Sequence, residues 1–319
     1  MSITSTSISD DAQWHDLRKQ VIGASEAAAL VGEHPYLSYW GLWARKRGML
    51  PPPDDNGAME RGRRLEPVAV AMIRDRYPEF DIIVPAPVLI PPRMHYADAE
   101  FGIGATPDMV VEDKQRGQGV IQIKSVAPGE FRKTWRGESD AVQVPVWIAI
   151  QALMEAHLTG SQWAAVAPLV VDYGIECPLI EVPLHAGILE TIKAEALQFW
   201  RRVLQGREPD PDYRRDGALI RAVLGADDGS EIDLSGDDDL PALVDLREVL
   251  MARIRQDEKD KKAIDARIEH RMGNAAVARF KGGLITFKTV NRAAHEVKAS
   301  TYRQLRVIRD HDKITKGSR

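Results

Sequence analysis

The sequence predicts an α/β chain: a strand-rich middle bracketed by helical segments, then a charged helical and hairpin extension. Three observations carry this reading. Between Ile82 and Val126 short apolar, β-branched runs (IIVPAPVLI, ATPDMVV, VIQIKSV) have strand character. On either side, ERGRRLEPVAVAMIRDRY and ILETIKAEALQFWRRVLQG have the composition or spacing of helices. Past REPDPDYRRDG the chain turns acidic from Asp227 to Asp239 and then strongly charged.

Taken in order, the Ser/Thr-rich opening MSITSTSISD reads as a frayed end. SEAAALVG reads as a short helix capped by Ser25 and stopped by Gly32. YWGLWARKRG reads as a second helix with Trp40, Leu42 and Trp43 partly inward, and PPPDDNG as a loop. In the next helix Pro67 forbids one internal hydrogen bond and implies a start or kink beside Glu66. After the strand region comes a polar stretch, APGEFRKTWRGESD. Pro145 then opens a helix, VPVWIAIQALMEAHLTG, closed by Gly160. QWAAVAPLVV and IECPLIEV read as two more strands. The following helix has an apolar stripe of Ile188, Ile192, Leu197, Trp200 and Leu204. A boundary near 215 divides residues 1–215 from an extension, 216–319. The extension holds a long charged helix from about Pro241 to Met272, with apolar positions suited to a partner helix. A hairpin, ARFKGGLITFKTV, turns at Gly282-Gly283.

Composition limits the partners. The net charge is −4 and the pI about 6.1, so any nucleic-acid contact must come from local basic patches. One cysteine, Cys177, excludes an internal disulfide; its apolar strand-like setting suits a buried thiol and a reducing compartment. No apolar run reaches the ~18 residues of a membrane span, and the N-terminus lacks the charged and apolar regions of a signal peptide. The expectation is a soluble cytoplasmic protein with no membrane partner. The eight histidines show no HxH or HxxxH spacing, which argues against zinc.

The strand pair around ATPDMVVEDKQRGQGVIQIKS carries the chemistry. Side chains two apart on a strand share a face, so Gln122 and Lys124 project together while Ile121 and Ile123 point the other way. Asp108 opens the neighbouring strand. A carboxylate, an amide oxygen and a lysine on one sheet edge are the parts of a Mg²⁺-assisted phosphodiester hydrolysis site. The plain alternative is a Pro-Asp turn beside a solvated lysine.

These residues resemble the PD-(D/E)xK nuclease superfamily, and within it the lambda-exonuclease/YqaJ-type viral recombinase family. WHDLRKQVIGASEAAALVG is similar to that family's W-x-x-L-R-x-x-x-I-x-A-S-E opening. HPYLSYWGLWARKRG and GRRLEP are similar to its P-Y-x-S-x-x-x-L-W-x-x-K-x-G and G-x-x-L-E-P segments. ATPDMVV and IQIKS fill the core motif, and IQALMEAHLTGSQW resembles its later glutamine helix; the elements stand in order over roughly residues 14 to 170.

The resemblance implies a restriction-endonuclease-like core with a central mixed sheet flanked by helices. It implies Asp108, Glu66, Gln122 and the Ile123 carbonyl as ligands of Mg²⁺ (or Mn²⁺), and Lys124 as the catalytic lysine. Arg18 and Ser25 resemble a pair that holds a DNA 5′-phosphate, and Gln151 resembles the glutamine near the active site. Without the resemblance, Glu66 reads as a surface or capping residue, Ser25 as a cap only and Arg18 as solvated. Implied partners are double-stranded DNA ends, a single-strand-annealing recombinase and further copies of the chain in a ring. Arg61, Arg63, Arg64, Arg132, Lys133 and Arg136 are candidate phosphate contacts, and Trp135 among them a candidate base-stacking platform.

Gln122 stands where the family pattern has Asp or Glu. A neutral amide can coordinate a hard cation but weakens its hold. The site is therefore a working natural variant, a variant silenced by a Glu→Gln exchange, or a non-catalytic relative that binds DNA ends. Retention of Asp108, Lys124 and Glu66 favours the first.

Overall fold

Two sheets and one largely buried helix organise the first of two compact units, Met1–Leu224. In this computed structural model, which describes residues 3–51, 56–84, 93–136, 141–293, 299 and 302–307, the chain opens with strand β1 (Ile3–Ile8), helix α1 (Asp11–Gln20), strand β2 (Ile22–Gly23) and a 3-10 helix (Ala24–Val31). Helices α2 (Tyr39–Lys46) and α3 (Gly57–Arg76) follow. Next come β3 (Asp81–Val84), β4 (Arg93–Asp98), β5 (Ile103–Ala105), β6 (Met109–Asp113) and β7 (Gly117–Val126). The unit closes with α4 (Pro128–Thr134), α5 (Val146–Thr159), β8 (Trp163–Val171), β9 (Ile175–Glu176), β10 (Ile180–Val182), α6 (Ala186–Gln205) and α7 (Gly217–Leu224). Residues 52–55 of PPPDDNG, 85–90 of IIVPAPVLI and 137–140 of the polar stretch lie outside the described residues.

The larger sheet is mixed, with order β10-β8-β7-β6-β3 and β9 on β8. β6 and β7 form an antiparallel hairpin, and β7 and β8 run parallel. A parallel pair needs a crossover, which α4 and α5 provide. The alternation along β7 separates two layers. Ile121 and Ile123 pack with Ala69, Val70 and Ile73 of α3, while Val120 packs on the opposite face with Ile148, Ala152 and Ala156 of α5. Gln122 and Lys124 thus face α5. Because β6 and β7 are interior strands, the expected site lies at strand ends in the middle of the sheet, not on a sheet edge. Gly119 is needed on β7 because a Cβ there would meet the Trp163 ring 2.0 Å away.

α5 is apolar nearly all round and is buried from Ile148 to Leu158, with Ala149 and His157 the half-buried exceptions. Such a helix needs cover on every side. The sheet supplies one side; the 3-10 helix, α2 and α6 supply the other through Ala27, Ala28, Trp40, Trp43, Ile192 and Phe199. Pro145 and the left-handed Gly160 (φ 72°) bound it as expected.

Several expectations are corrected. The opening residues form an edge strand, because β4, far away in sequence, offers a ladder from Ile3–Asp98 to Ile8–Arg93. Gly23, not Ser25, caps the 3-10 helix: Glu26 reaches back to the Gly23 N–H at 3.0 Å, and the Ser25 hydroxyl is left free for other contacts. α3 runs unbroken through Pro67. The polar stretch contains α4. The buried face of α6 is Ile192, Ala196, Phe199 and Val203, while Ile188 and Leu204 are exposed. Trp135 is 2% exposed and stacks on Phe131, so it is a core residue and offers no face to a base. Cys177 is buried and its thiol is pushed up to about 11 by burial, as a structural thiol should be.

The first unit extends past residue 215. Asp216, almost fully buried, accepts from Ser38 Oγ at 2.6 Å, and Leu219, Ile220 and Val223 of α7 pack on the core. The second unit, Gly225–Arg319, contains the 33-residue helix α8 (Leu240–Met272) and the hairpin β11 (Val277–Phe280) to β12 (Gly283–Thr286). Lys281 and Gly282 form its turn, since Gly283 already pairs with Phe280; Gly282 has the positive φ (112°) such a turn requires. Among the described residues no helix is long and apolar enough to cross a membrane.

Candidate active site

The β6–β7 hairpin brings Asp108 and Gln122 opposite one another, one step beyond the Met109–Ile121 pair. Asp108 Oδ2 accepts from the Ile123 backbone N–H at 2.7 Å and from Gln122 Nε2. Gln122 is 3% exposed, and its Nε2 also donates to the Ile123 carbonyl at 3.1 Å. Gln151 enters from α5. Lys124 Nζ donates to Gln151 Oε1 at 2.8 Å, and Gln151 Nε2 donates to Gln122 Oε1 at 2.7 Å. The result is a directed relay: Lys124 to Gln151 to Gln122 to Asp108. Lys124 also lies 5.7 Å from the Trp147 ring centroid.

Gln122 therefore turns its amide nitrogen, not its oxygen, toward Asp108. In this arrangement it serves Asp108 as a donor, and its oxygen is engaged by Gln151. That differs from the ligand role implied by the family pattern, and the cause is chemical: Asp108 can only accept, so the amide presents hydrogen to it.

Glu66 approaches from α3. Burial, followed by the charge on Asp108, pushes its carboxyl up to about 8, although Arg93 and Lys124 pull the other way. Its Oε1 is buried with no hydrogen-bond partner. Burial likewise pushes Asp108 up to about 6, opposed by Lys124 and by the hydrogen bonds from Ile123 and Gln122. Two desolvated carboxyls that resist ionising together, one with a partnerless oxygen, form a donor set that a divalent cation would satisfy. Mg²⁺ needs only one or two carboxylates, with other oxygens and water completing its shell. Asp108, Glu66 and the Ile123 carbonyl fit that description. Among the described residues no group of three His, Cys, Asp or Glu side chains could by itself hold a metal.

Arg18 and Ser25 are brought together, with Arg18 Nη2 3.5 Å from Ser25 Oγ and its guanidinium 4.6 Å from the Trp14 ring centroid. The sequence did not single out the residues behind them. Lys46 Nζ donates to the Arg18 and Val21 carbonyls at 3.0 and 2.7 Å and to Glu26 Oε2 at 2.8 Å. Burial would raise the Glu26 carboxyl, but Lys46 and Arg18 hold it below its ordinary value. Arg45, half-buried, feels both Glu26 and Arg18. Three cations thus surround one carboxylate, leaving local positive charge beside the Ser25 hydroxyl.

The other basic candidates are engaged in different ways. Arg64 pairs with Glu60 at 2.7 Å, Arg61 donates to the Val126 carbonyl at 3.4 Å and Arg132 lies 3.8 Å from Asp172. Glu155 was also missed, although one acid within the apolar run IAIQALMEAHL, four residues after Gln151, is a readable signal.

No curated protein matches this chain. The alkaline exonuclease LHK-Exo from Laribacter hongkongensis is a similar solved structure, at 21% identity and TM-score 0.44, over 66% of this chain and 99% of that one. LHK-Exo in complex with dAMP is similar at 21% identity and TM-score 0.42, over 64% and 96%. The family model for the YqaJ-like viral recombinase domain matches residues 13–162. Every residue of the relay, Glu66 and the Arg18 cluster fall inside that span, so the part of this chain that is similar to the YqaJ-like viral recombinase domain is the part that holds the site.

Proposed function

We propose that this chain is a divalent-cation-dependent exodeoxyribonuclease that resects linear duplex ends 5′ to 3′, leaving a 3′ single strand for a single-strand-annealing recombinase. The observation that carries the reading is the relay from Lys124 to Asp108 with the Glu66 carboxyl beside it, whose buried Oε1 has no hydrogen-bond partner among the described residues. Asp108, Glu66 and the Ile123 carbonyl would hold the cation, Mg²⁺ or Mn²⁺. When bound, it supplies Lewis-acid polarisation of the scissile phosphate and activation of water. Lys124 stabilises developing charge on the phosphate or orients the attacking water. The Ile123 N–H and Gln122 amide hold Asp108 in place. Arg18 and Ser25, backed by Lys46 and Arg45, receive a terminal 5′-phosphate, which sets polarity. A ring of copies around DNA is the assembly that suits a processive enzyme of this kind.

Blunt duplexes labelled at the 5′ or 3′ end, with a 5′-phosphate or 5′-hydroxyl, test this directly. In Mg²⁺ the expected first product is the 5′-terminal nucleotide, released faster from phosphorylated ends. Release from 3′ ends first, or indifference to the phosphate, would refute the polarity and the role of Arg18.

A second reading is a DNA-end-binding protein that does not cut. The neutral Gln122, with its oxygen turned away from Asp108, is what favours it. The same duplexes distinguish it: salt-sensitive binding with every label intact in Mg²⁺ and Mn²⁺.

A further inference from the structure

Glu155 lies one helical turn past Gln151 on α5 and is 1% exposed, within a helix lined mostly by apolar side chains. The chemistry proposed above does not use it. Its Oε1 nevertheless accepts from Gln151 Nε2 at 2.8 Å, and its Oε2 is buried without a hydrogen-bond partner.

The significance lies in direction. A glutamine side chain offers two donor hydrogens at nitrogen and an acceptor at oxygen, so its neighbours decide which end faces where. Gln151 Nε2 gives one hydrogen to Gln122 Oε1 at 2.7 Å and the other to Glu155 Oε1 at 2.8 Å. Gln122 Nε2 gives one to Asp108 Oδ2 and the other to the Ile123 carbonyl at 3.1 Å. All four amide hydrogens are used, and reversing either amide would set nitrogen against nitrogen or oxygen against oxygen.

Two groups anchor the ends of this chain, Lys124 as donor and Asp108 as acceptor, and both have other work on the reading proposed above. Lys124 must leave Gln151 to meet a phosphate, and Asp108 must share its oxygens with a cation. At that moment both end anchors loosen. The Ile123 carbonyl is itself among the proposed cation ligands, so Glu155 is the acceptor with no other work. Burial, followed by the charge on Asp108, pushes its carboxyl up to about 8, its Oε1 accepts from Gln151, and among the described residues its side chain takes no other hydrogen bond.

We propose that Glu155 is a positioning residue: it holds the Gln151 amide in one direction, and through Gln151 keeps Gln122 presenting its nitrogen to Asp108 while Lys124 and Asp108 act. This rests on the nuclease reading for its catalytic consequence but not for its geometry, so the two are tested separately.

The geometric test uses metal-free full-length protein with ¹⁵N-labelled glutamine. The side-chain amides of Gln122 and Gln151 should be resolved and slow to exchange with water. Glu155→Leu should speed exchange at both by at least about tenfold. Glu155→Gln, which keeps an acceptor oxygen at the same place, should restore protection. The kinetic test compares the same variants on linear duplex DNA. Glu155→Leu should lower kcat by about 10- to 100-fold, as loss of a supporting hydrogen bond behind an active-site group does. KM should stay within about twofold, and Glu155→Gln should recover most of the rate.

Unchanged amide exchange in Glu155→Leu, or equal loss in Glu155→Gln, would overturn the proposal. If Glu155→Leu fails to fold, the wild-type spectrum decides, since rapidly exchanging amides at 122 and 151 are incompatible with a locked relay. Protected amides in a wild-type protein that cuts nothing would uphold the positioning role and remove the nuclease reading instead.

Discussion

Replacing Gln122 by glutamate exchanges two donated hydrogens for a negative charge beside Asp108. The amide nitrogen donates to Asp108 Oδ2 and, at 3.1 Å, to the Ile123 carbonyl. In Gln122→Glu an ionised carboxylate puts its oxygens where those hydrogens stood. Two like charges about 4 Å apart repel by about 4 kcal/mol at an effective dielectric near 20. Losing the donations adds roughly 1–3 kcal/mol. A proton held between the two carboxyls recovers much of this, because a close pair does not ionise fully. The metal-free Gln122→Glu variant should therefore be less stable by about 2–4 kcal/mol near pH 7.5, lowering Tm by roughly 4–16 °C for a unit of this size. The sign with pH follows from linkage. The carboxyls of the pair hold protons more tightly folded than unfolded, so the loss is absent near pH 4 and grows as pH rises. A divalent cation reverses the effect: the extra carboxylate should tighten Mg²⁺ binding by at least about tenfold and recover the lost Tm. Thermal melts from pH 4 to 8.5, in chelator and across a Mg²⁺ titration, measure all of this. Equal melting of variant and wild type in chelator at pH 7.5 would refute the arrangement in which the amide nitrogen faces Asp108.

Four other outcomes are expected. Lys124→Met should reduce cleavage by at least about 10²-fold while leaving DNA affinity within a few-fold, since the lysine acts on charge that develops in the reaction; single-turnover rates and binding isotherms separate the two. Cation binding at pH 7 should release about one proton, because Glu66, at about 8, must deprotonate to become a ligand, and calorimetry in buffers of different ionisation enthalpy counts it. Without metal, stability should fall as pH rises from about 5 to 8, since Asp108 and Glu66, raised to about 6 and about 8, bind more protons in the folded state across that window; chemical denaturation at stepped pH reads this out. Trp135→Ala should cost about 3–5 kcal/mol of stability by opening a core cavity, with DNA affinity measured below Tm unchanged, the opposite of what a stacking residue would show.

What the sequence made legible was local. The β6–β7 hairpin follows from strand alternation, which alone puts Gln122 and Lys124 on one face. The ends of α5 follow from Pro145 and Gly160, whose backbone preferences are nearly independent of context. What escaped depended on partners distant in the chain. ITSTSI is a strand only because β4 stands ready to pair with it. Trp135 looks like a platform among basic residues until α4 forms and turns it onto Phe131. The face of α6 that is buried is chosen by α2 and the 3-10 helix, not by its own apolar stripe. Within the site, Asp108, Gln122, Lys124 and Gln151 were identified and do meet. The direction of the Gln122 amide could not be read, because it is set by what each neighbour can donate or accept. Lys46, Glu26 and Glu155 went unnoticed for the same reason: buried charges show their purpose only once the surrounding elements pack.

The central claim is that the relay supports cation-dependent hydrolysis from DNA ends. Its most direct test is a digestion time course on linear 5′-phosphorylated duplex and on closed circular DNA of the same sequence, in Mg²⁺ and in chelator, with wild type and Lys124→Met. Progressive loss of the linear DNA by wild type in Mg²⁺ alone, with the circle intact and Lys124→Met inactive, is the predicted result. Cutting of the circle, cleavage in chelator, or an intact linear duplex under every condition would contradict it.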